Sequence, residues 1–414
     1  MRKFLILIVL FAYPLFSNGA VIGDWTYSVL YGGAIISKYS GAGGVVTIPS
    51  MLGAFPVRQV GNGQPGEPPI FGYYNTSVTS VIIPPGVTSI GNTAFLYCFG
   101  LTSVSIPNTV TSIGEGAFSS CRSLTSLSIP NSITTIASET FLGCTALTSL
   151  SIPNSITTIG WGAFTGCGLT SLTIPSTVTS IGNEAFAGCS QLTNLIIENG
   201  VLSIGRGAFY SCTSLRSVTI PDSVIILGDL SLSGGGSDVG VFQGCTNLVS
   251  ISIGINTTMI GRRTFSGCTS LTSITIPTSV SNIEYEAFAN CPALARIVFL
   301  GNPPSYDATS FLNSSPTVYH VAGTTGWEAT FATLTTTQLN QPSIQSFVLN
   351  ANGNTQLTWT SMQGVFYEIQ STDSLDNPFV TRSTRTATNT LETWNEPDAN
   401  MPSKRFYRVS MRLP

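Results

Sequence analysis

The chain has 414 residues, 43% of them hydrophobic and only 8% charged, with a net charge of −3, one His and nine Cys. Ser and Thr contribute 52 residues each. Scarce charge beside ordinary hydrophobicity argues against a charge-driven disordered chain, and the slightly acidic balance excludes a strongly basic nucleic-acid binder. A lone His320 excludes any metal or catalytic site that needs two.

Arg2 and Lys3 precede an apolar run from Phe4 to Phe16, followed by Ser17, Asn18, Gly19 and Ala20. A positive start, a short apolar core and small residues are the layout of a secretory signal peptide. Residues 1–20 are expected to be that signal, cleaved after about residue 19 or 20. The run is too short to span a bilayer and no second long one follows, so the mature chain is expected to be secreted or held at the cell surface without a membrane span.

The cysteines are Cys98, Cys121, Cys144, Cys167, Cys189, Cys212, Cys245, Cys268 and Cys291, spaced by 23, 23, 23, 22, 23, 33, 23 and 23 residues. Three positions before each stands a Phe: Phe95, Phe118, Phe141, Phe164, Phe186, Phe209, Phe242, Phe265 and Phe288. A fixed period in this range means a solenoid, whose units bury their apolar faces only against neighbours. In the unit from Leu101 to Ser123, alternation at Val104 and Ile106 reads as a strand. Pro107-Asn108 ends it, Val110 and Ile113 turn inward, and Phe118 drops into the interior. The fold class expected is mainly β: a solenoid of about 11 units with a parallel sheet, over residues 21–300.

The unit Cys121-Arg-Ser-Leu-Thr-Ser-Leu-Ser-Ile-Pro-Asn-Ser-Ile-Thr-Thr-Ile resembles the BspA-type, or Treponema-type, leucine-rich repeat, whose pattern runs C-x-x-L-T-S-I-x-I-P-x-x-V-x-x-I-G-x-x-A-F. The resemblance covers about residues 21–340. Gly23 through Gly41 resembles its N-terminal cap and Gly301 through Trp327 its closing segment, giving a C-terminal cap and linker over 301–341. The resemblance implies an exported or surface protein, several members being adhesins that bind host proteins or other cells.

Nine cysteines in an exported chain invite a disulfide framework. Identical positions of stacked units lie about 4.8 Å apart with side chains pointing the same way, whereas a disulfide needs Cβ atoms about 3.8 Å apart and facing each other. An internal ladder of free thiols is expected beside a ladder of rings, with Tyr74 and Ser314 taking the Cys position in the first and last units. The outward strand positions form the candidate interaction face: Ser103, Ser105, Ser126, Ser128, Ser149, Ser151, Ser171, Thr173, Ser217, Thr219, Ser250, Ser252, Ser273 and Thr275, continued by Asn194, Ile196, Arg296 and Val298. Exposed Trp161 is a candidate aromatic contact. Two insertions, near Gly61 to Ile70 and between Leu227 and Phe242, are expected to emerge on one side and are candidate binding loops.

No catalytic constellation stands out. His320 lacks Asp or Ser partners, and the pairs Glu284/Glu286 and Asp373/Asp376 lack a surrounding motif. Beyond Pro342 the period stops, and the β-rich runs 343–349, 356–360, 365–370, 379–385, 391–394 and 406–411 are separated by turn signals. A small β-sandwich over 342–414 is expected, which resembles a fibronectin type III-like module. The functional expectation is a non-catalytic interaction protein without cofactors, monomeric, binding a protein or a glycan. Alternatives are a glycan-binding module of an extracellular degradative system and an architectural spacer.

Overall fold

The computed structural model describes residues 19–61, 63, 68–228, 238–340, 342–349, 355–361, 366–396 and 405–412. The expected signal sequence up to residue 18, most of the second insertion and part of the first lie outside the described residues. Every regular element described is a strand, and the chain divides into two compact units, residues 1–212 and 213–414.

The first unit opens with antiparallel strands Ala20–Ile22, Trp25–Leu30 and Gly33–Tyr39. Pairing turns parallel where Gly33–Tyr39 meets Phe55–Val60. From there each regular coil contributes two short strands. One ladder runs Gly44–Thr47, Val78–Ile82, Ser103–Ser105 and Ser126–Leu127. On the other side Ser89–Ile90 pairs with Ser112–Ile113, and Thr135–Ile136 begins a run through Thr158–Ile159, Ser180–Ile181 and Ser203–Ile204. Register and repeat are one quantity here: Ile113 sits on Ile90 and Ile204 on Ile181.

The corners follow from residue chemistry. Pro107 cannot donate to a ladder, and its carbonyl instead accepts from Val110 N–H at 3.0 Å; Pro130, Pro153 and Pro175 repeat the turn with Ile133, Ile156 and Val178. On the remaining side Phe118 N–H donates to Thr140 O of the next coil at 2.9 Å. Its ring therefore enters the interior directly against the next one. Centroids from Phe95 to Phe209 are 5.0 to 5.6 Å apart, with planes within 13°. Trp25, Tyr39 and Phe71 extend this column beyond Phe95.

The second unit repeats the design with strands Ile226–Leu227, Met259–Ile260, Asn282–Ile283 and Ser305–Tyr306 on one side. Ser217–Thr219 pairs with Ser250–Ser252. A further sheet runs Ser273–Ile276, Arg296–Phe299, Thr317–Val321 and Leu334–Leu339, closed by the antiparallel strand Thr330–Phe331. Two antiparallel three-stranded sheets follow: Ile344–Leu349, Thr355–Thr360 and Leu391–Asn395, then Val380–Thr386, Phe366–Thr372 and Phe406–Arg412. Leu357 and Trp359 of one meet Tyr367 and Ile369 of the other in a single buried cluster.

Three expectations need correction. Val298, expected to face solvent, is buried in that same cluster with Leu339 and Trp359; the apolar residue marks where the strand face is covered. Tyr74 does not enter the Cys column. It is 64% exposed and stacks on Tyr97, the residue before Cys98, at 5.2 Å, because Asn75, not Tyr74, stands one 23-residue period before Cys98. Finally, no strand forms over Ser149–Ser151, and Ser126–Leu127 ends before Ser128. The gap adjoins the coil that is one residue short, between Cys167 and Cys189.

Candidate functional site

Within each unit the outward Ser and Thr positions alternate with buried apolar residues along the coils. Ser103, Ser273 and Thr275 are half-buried, and the other eleven Ser and Thr positions are exposed. Alternation explains this, because Val104, Leu172, Val218, Ile251 and Ile274 between them point inward and are buried. Within the first unit the face sinks into an open hollow of about 570 Å³ where the strand is missing, lined by Ser126, Leu127, Ser149, Leu150, Ser151, Ser171 and Thr173. Its rim carboxylate, Glu198, is occupied by the Ser176 N–H at 2.9 Å. Within the second unit a hollow of about 490 Å³ lies over Ser217, Thr219, Ser250, Ser252 and Ile255.

Many threonines do something else. The hydroxyl of Thr102 donates to Thr79 O at 2.8 Å, Thr125 to Thr102 O, Thr170 to Thr148 O and Thr193 to Thr170 O. These hydroxyls tie each coil to the preceding one. Part of the hydroxyl-rich composition is thus intercoil bonding, and Ser103 joins it through Ser80 Oγ at 3.0 Å.

All nine cysteines are free and buried. Their thiols point back along the stack: Cys121 Sγ donates to Phe95 O at 3.1 Å, Cys144 to Phe118 O, Cys167 to Phe141 O and Cys291 to Phe265 O. Ser314 makes the same bond to Phe288 O at 2.7 Å. Burial pushes the thiols of Cys98 and Cys189 up to about 12 and that of Cys291 to about 11. Neutral thiols of this kind are poor nucleophiles and poor metal ligands.

The acidic pairs are engaged. Glu286 is held low first by its bond from Tyr285 and also by Arg263 Nε at 2.9 Å, and Arg263 also meets Asp238 at 3.3 Å. Glu284 accepts from Asn282, and the Asn377 side chain holds Asp373 low. His320 lies flat on Trp327 at 4.9 Å and meets Thr324 Oγ1 at 3.1 Å. Among the described residues no three His, Cys, Asp or Glu side chains gather as a metal site, and no helix is long and apolar enough to cross a membrane.

Trp161 is 43% exposed beside the strand Thr158–Ile159, and no other described ring lies against it. A denser aromatic group stands elsewhere in the first unit and was not apparent from sequence. Tyr73, Tyr74, Tyr97 and Phe99 lie 5.2 to 6.3 Å apart, with the Arg122 guanidinium 4.7 Å over the Phe99 ring. The signal was the repeat length itself, since Tyr74 and Tyr97, and Phe99 and Arg122, are each 23 residues apart.

Parallel coils of two short strands around Leu, Ile, Phe and Cys columns define a leucine-rich-repeat solenoid. A family model described as the BspA type leucine rich repeat region matches in six copies over residues 70–193, 179–235 and 238–326, more than half of the chain. The chain belongs to that family. It is similar to a leucine rich cell surface protein from Faecalibacterium prausnitzii, at 27% identity over 78% of this chain and 94% of that one, with a TM-score of 0.45. A Treponema pallidum leucine rich repeat protein is 31% identical over 47% of this chain and 88% of that one, with a TM-score of 0.42. A leucine-rich repeat protein from Bacteroides ovatus is 24% identical over 77% and 99%, with a TM-score of 0.36. A comparison with curated proteins finds no match.

Proposed function

We propose that the chain is a non-catalytic, secreted or cell-surface scaffold that binds another protein through its hydroxyl strand face. The observation carrying this reading is the hydroxyl-lined hollow at Ser126, Ser149, Ser151 and Ser171, where the strand ladder opens and half-buried Leu127 and Leu150 meet solvent. A polar rim around partly exposed aliphatic side chains is the composition of a protein-binding surface. Residues 1–20 serve as the export signal, 21–300 as the solenoid, 301–341 as its closing segment and 342–414 as a fibronectin type III-like module, a reading supported by the two facing three-stranded sheets. The mature protein acts as a monomer.

The test is retention of a defined surface protein from intact cells by the full chain, compared with the Ser149→Arg/Ser171→Arg variant. Partner capture lost in the folded variant supports the reading, and undiminished capture removes it. The exposed ring of Trp161 favours a second reading, a glycan-binding module. Saturable sugar binding abolished by Trp161→Ala would select it, and silence in both assays would select a spacer.

A further inference from the structure

The residue before each cysteine turns a corner in left-handed backbone. Its φ is 58° at Ser120, 71° at Gly143, 69° at Gly166 and Gly188, and 55° at Ser211. Glycine takes this conformation freely, and small polar residues tolerate it. The first two coils instead place tyrosines there, Tyr74 with φ of 61° and Tyr97 with φ of 57°. A bulky side chain at positive φ carries strain; Thr93, Glu139, Glu184 and Arg263 bear it at other corners, and at this corner Tyr74 and Tyr97 are the aromatic cases.

Cross-coil bonding holds the corner, Tyr97 N–H donating to Ser119 O at 2.9 Å, yet the rings are only partly covered, Tyr97 being half-buried. Tyr73 and Tyr74 are 50% and 64% exposed, and the buried ring column has its own extension through Phe71, Tyr39 and Trp25. Beyond Tyr97 the same column continues as Ser120, Gly143 and Gly166. A Cβ at Gly143 would meet Ser120 Oγ at 3.3 Å and one at Gly166 would meet only Gly143 Cα, at 3.9 Å, so side chains in this column stand directly over one another. Tyr97 stacks on Tyr74 with planes 26° apart and is followed by a strip of small residues that leaves room beside its ring.

We propose that Tyr74, Tyr97, Tyr73 and Phe99 form a stacking site for a neutral pyranose saccharide. One face of a pyranose carries C–H bonds of positive edge character, which meet the negative face of an aromatic ring. Its rim of hydroxyls matches phenol hydroxyls and the Ser-rich surroundings. Among the described residues the cation at the cluster is Arg122, already seated over Phe99, which disfavours an anionic ligand. A proline-rich peptide needs a slot between rings, whereas Tyr74 and Tyr97 close on each other and present a platform. The site is separate from the strand-face reading and stands if that reading fails.

Calorimetric titration of the full chain with cellohexaose, xylohexaose, mannohexaose and chitohexaose tests this. At least one should bind, Tyr97→Gly should weaken binding about tenfold, and Tyr74→Gly/Tyr97→Gly should abolish it. Glycine relieves the backbone, so both variants should melt no lower than the parent. Ser149→Arg, which disrupts the strand-face hollow, should bind saccharide as the parent does. The proposal is overturned if none of the four hexasaccharides binds or if the glycine variants bind undiminished. Earlier melting of those variants, which would make the tyrosines packing residues, overturns it too, as does Tyr97-dependent retention of a proline-rich peptide in place of sugar.

Discussion

Replacing Phe164 by Ala tests whether the ring column holds the coils together. Phe164 is fully buried, stacked on Phe141 at 5.2 Å and on Phe186 at 5.1 Å. Losing a buried Phe side chain costs about 3–5 kcal/mol, the upper part applying where the site cannot collapse. Collapse is blocked here, because Phe141 N–H donates to Ala163 O at 2.8 Å and Phe164 N–H to Ala185 O at 2.7 Å, fixing the spacing on both sides. Two ring pairs also disappear, each contributing about 0.5–1.5 kcal/mol beyond area burial. A loss of about 4–5 kcal/mol is therefore expected. Repeat arrays open locally, so the assay is hydrogen exchange of the amides between residues 141 and 189 across a urea series. Protection there should fall by three orders of magnitude or thereabouts, the equivalent of about 4 kcal/mol. A loss under about 1 kcal/mol would refute the claim that the column bears the load.

Other outcomes follow from single groups. The thiols of Cys98 and Cys189 ordinarily titrate near 9 and are raised to about 12 by burial. Their protonated form stabilises the fold fully below pH 9, and that contribution fades as pH rises from 9 toward 12; thermal midpoints should drop across this window while maleimide labels almost no thiol of the folded chain at pH 7–8. Thr257 stands fully buried where other coils carry Val or Ile, and its hydroxyl donates to Val224 O at 3.1 Å. Because Asn256, its predecessor, is committed to Asp222 O, Thr257→Val orphans that carbonyl and should cost about 1–3 kcal/mol in urea melts despite matching the repeat. Burial pushes the His320 imidazole below its usual value near 6.5. That contribution is present above about pH 6.5 and is lost as pH falls through the lowered value; His320→Phe should flatten the acid limb of the stability profile, and an unchanged limb would count against it.

The repeat architecture was legible because coils stack in register, so one column of Phe and one of Cys had to recur at one period. The six terminal strands were legible too: runs such as 356–360 and 406–411 reappear as Thr355–Thr360 and Phe406–Arg412, since alternation and turn residues are local signals. Three-dimensional cover was not local. Val298 reads as an outward position by alternation, and only the antiparallel sheets make it buried. Threonine bonding was equally hidden, because the acceptor of Thr170 lies a whole coil away at Thr148. The tyrosine platform escaped because the residue before a cysteine looks unconstrained in sequence, and its significance arises from the sign of φ at Tyr97.

The antiparallel strands at the borders of the parallel ladders matter beyond their local pairing. A stack whose coils share one register has no intrinsic end, and an open last coil would accept a coil from a second molecule and grow into a fibre. Ala20–Ile22 and Thr330–Phe331 reverse direction beside Trp25–Leu30 and Leu334–Leu339, leaving edges of only three and two residues that no parallel coil can continue. With these two ladders closed at their borders, a coil can be duplicated or deleted inside them without exposing a new edge there.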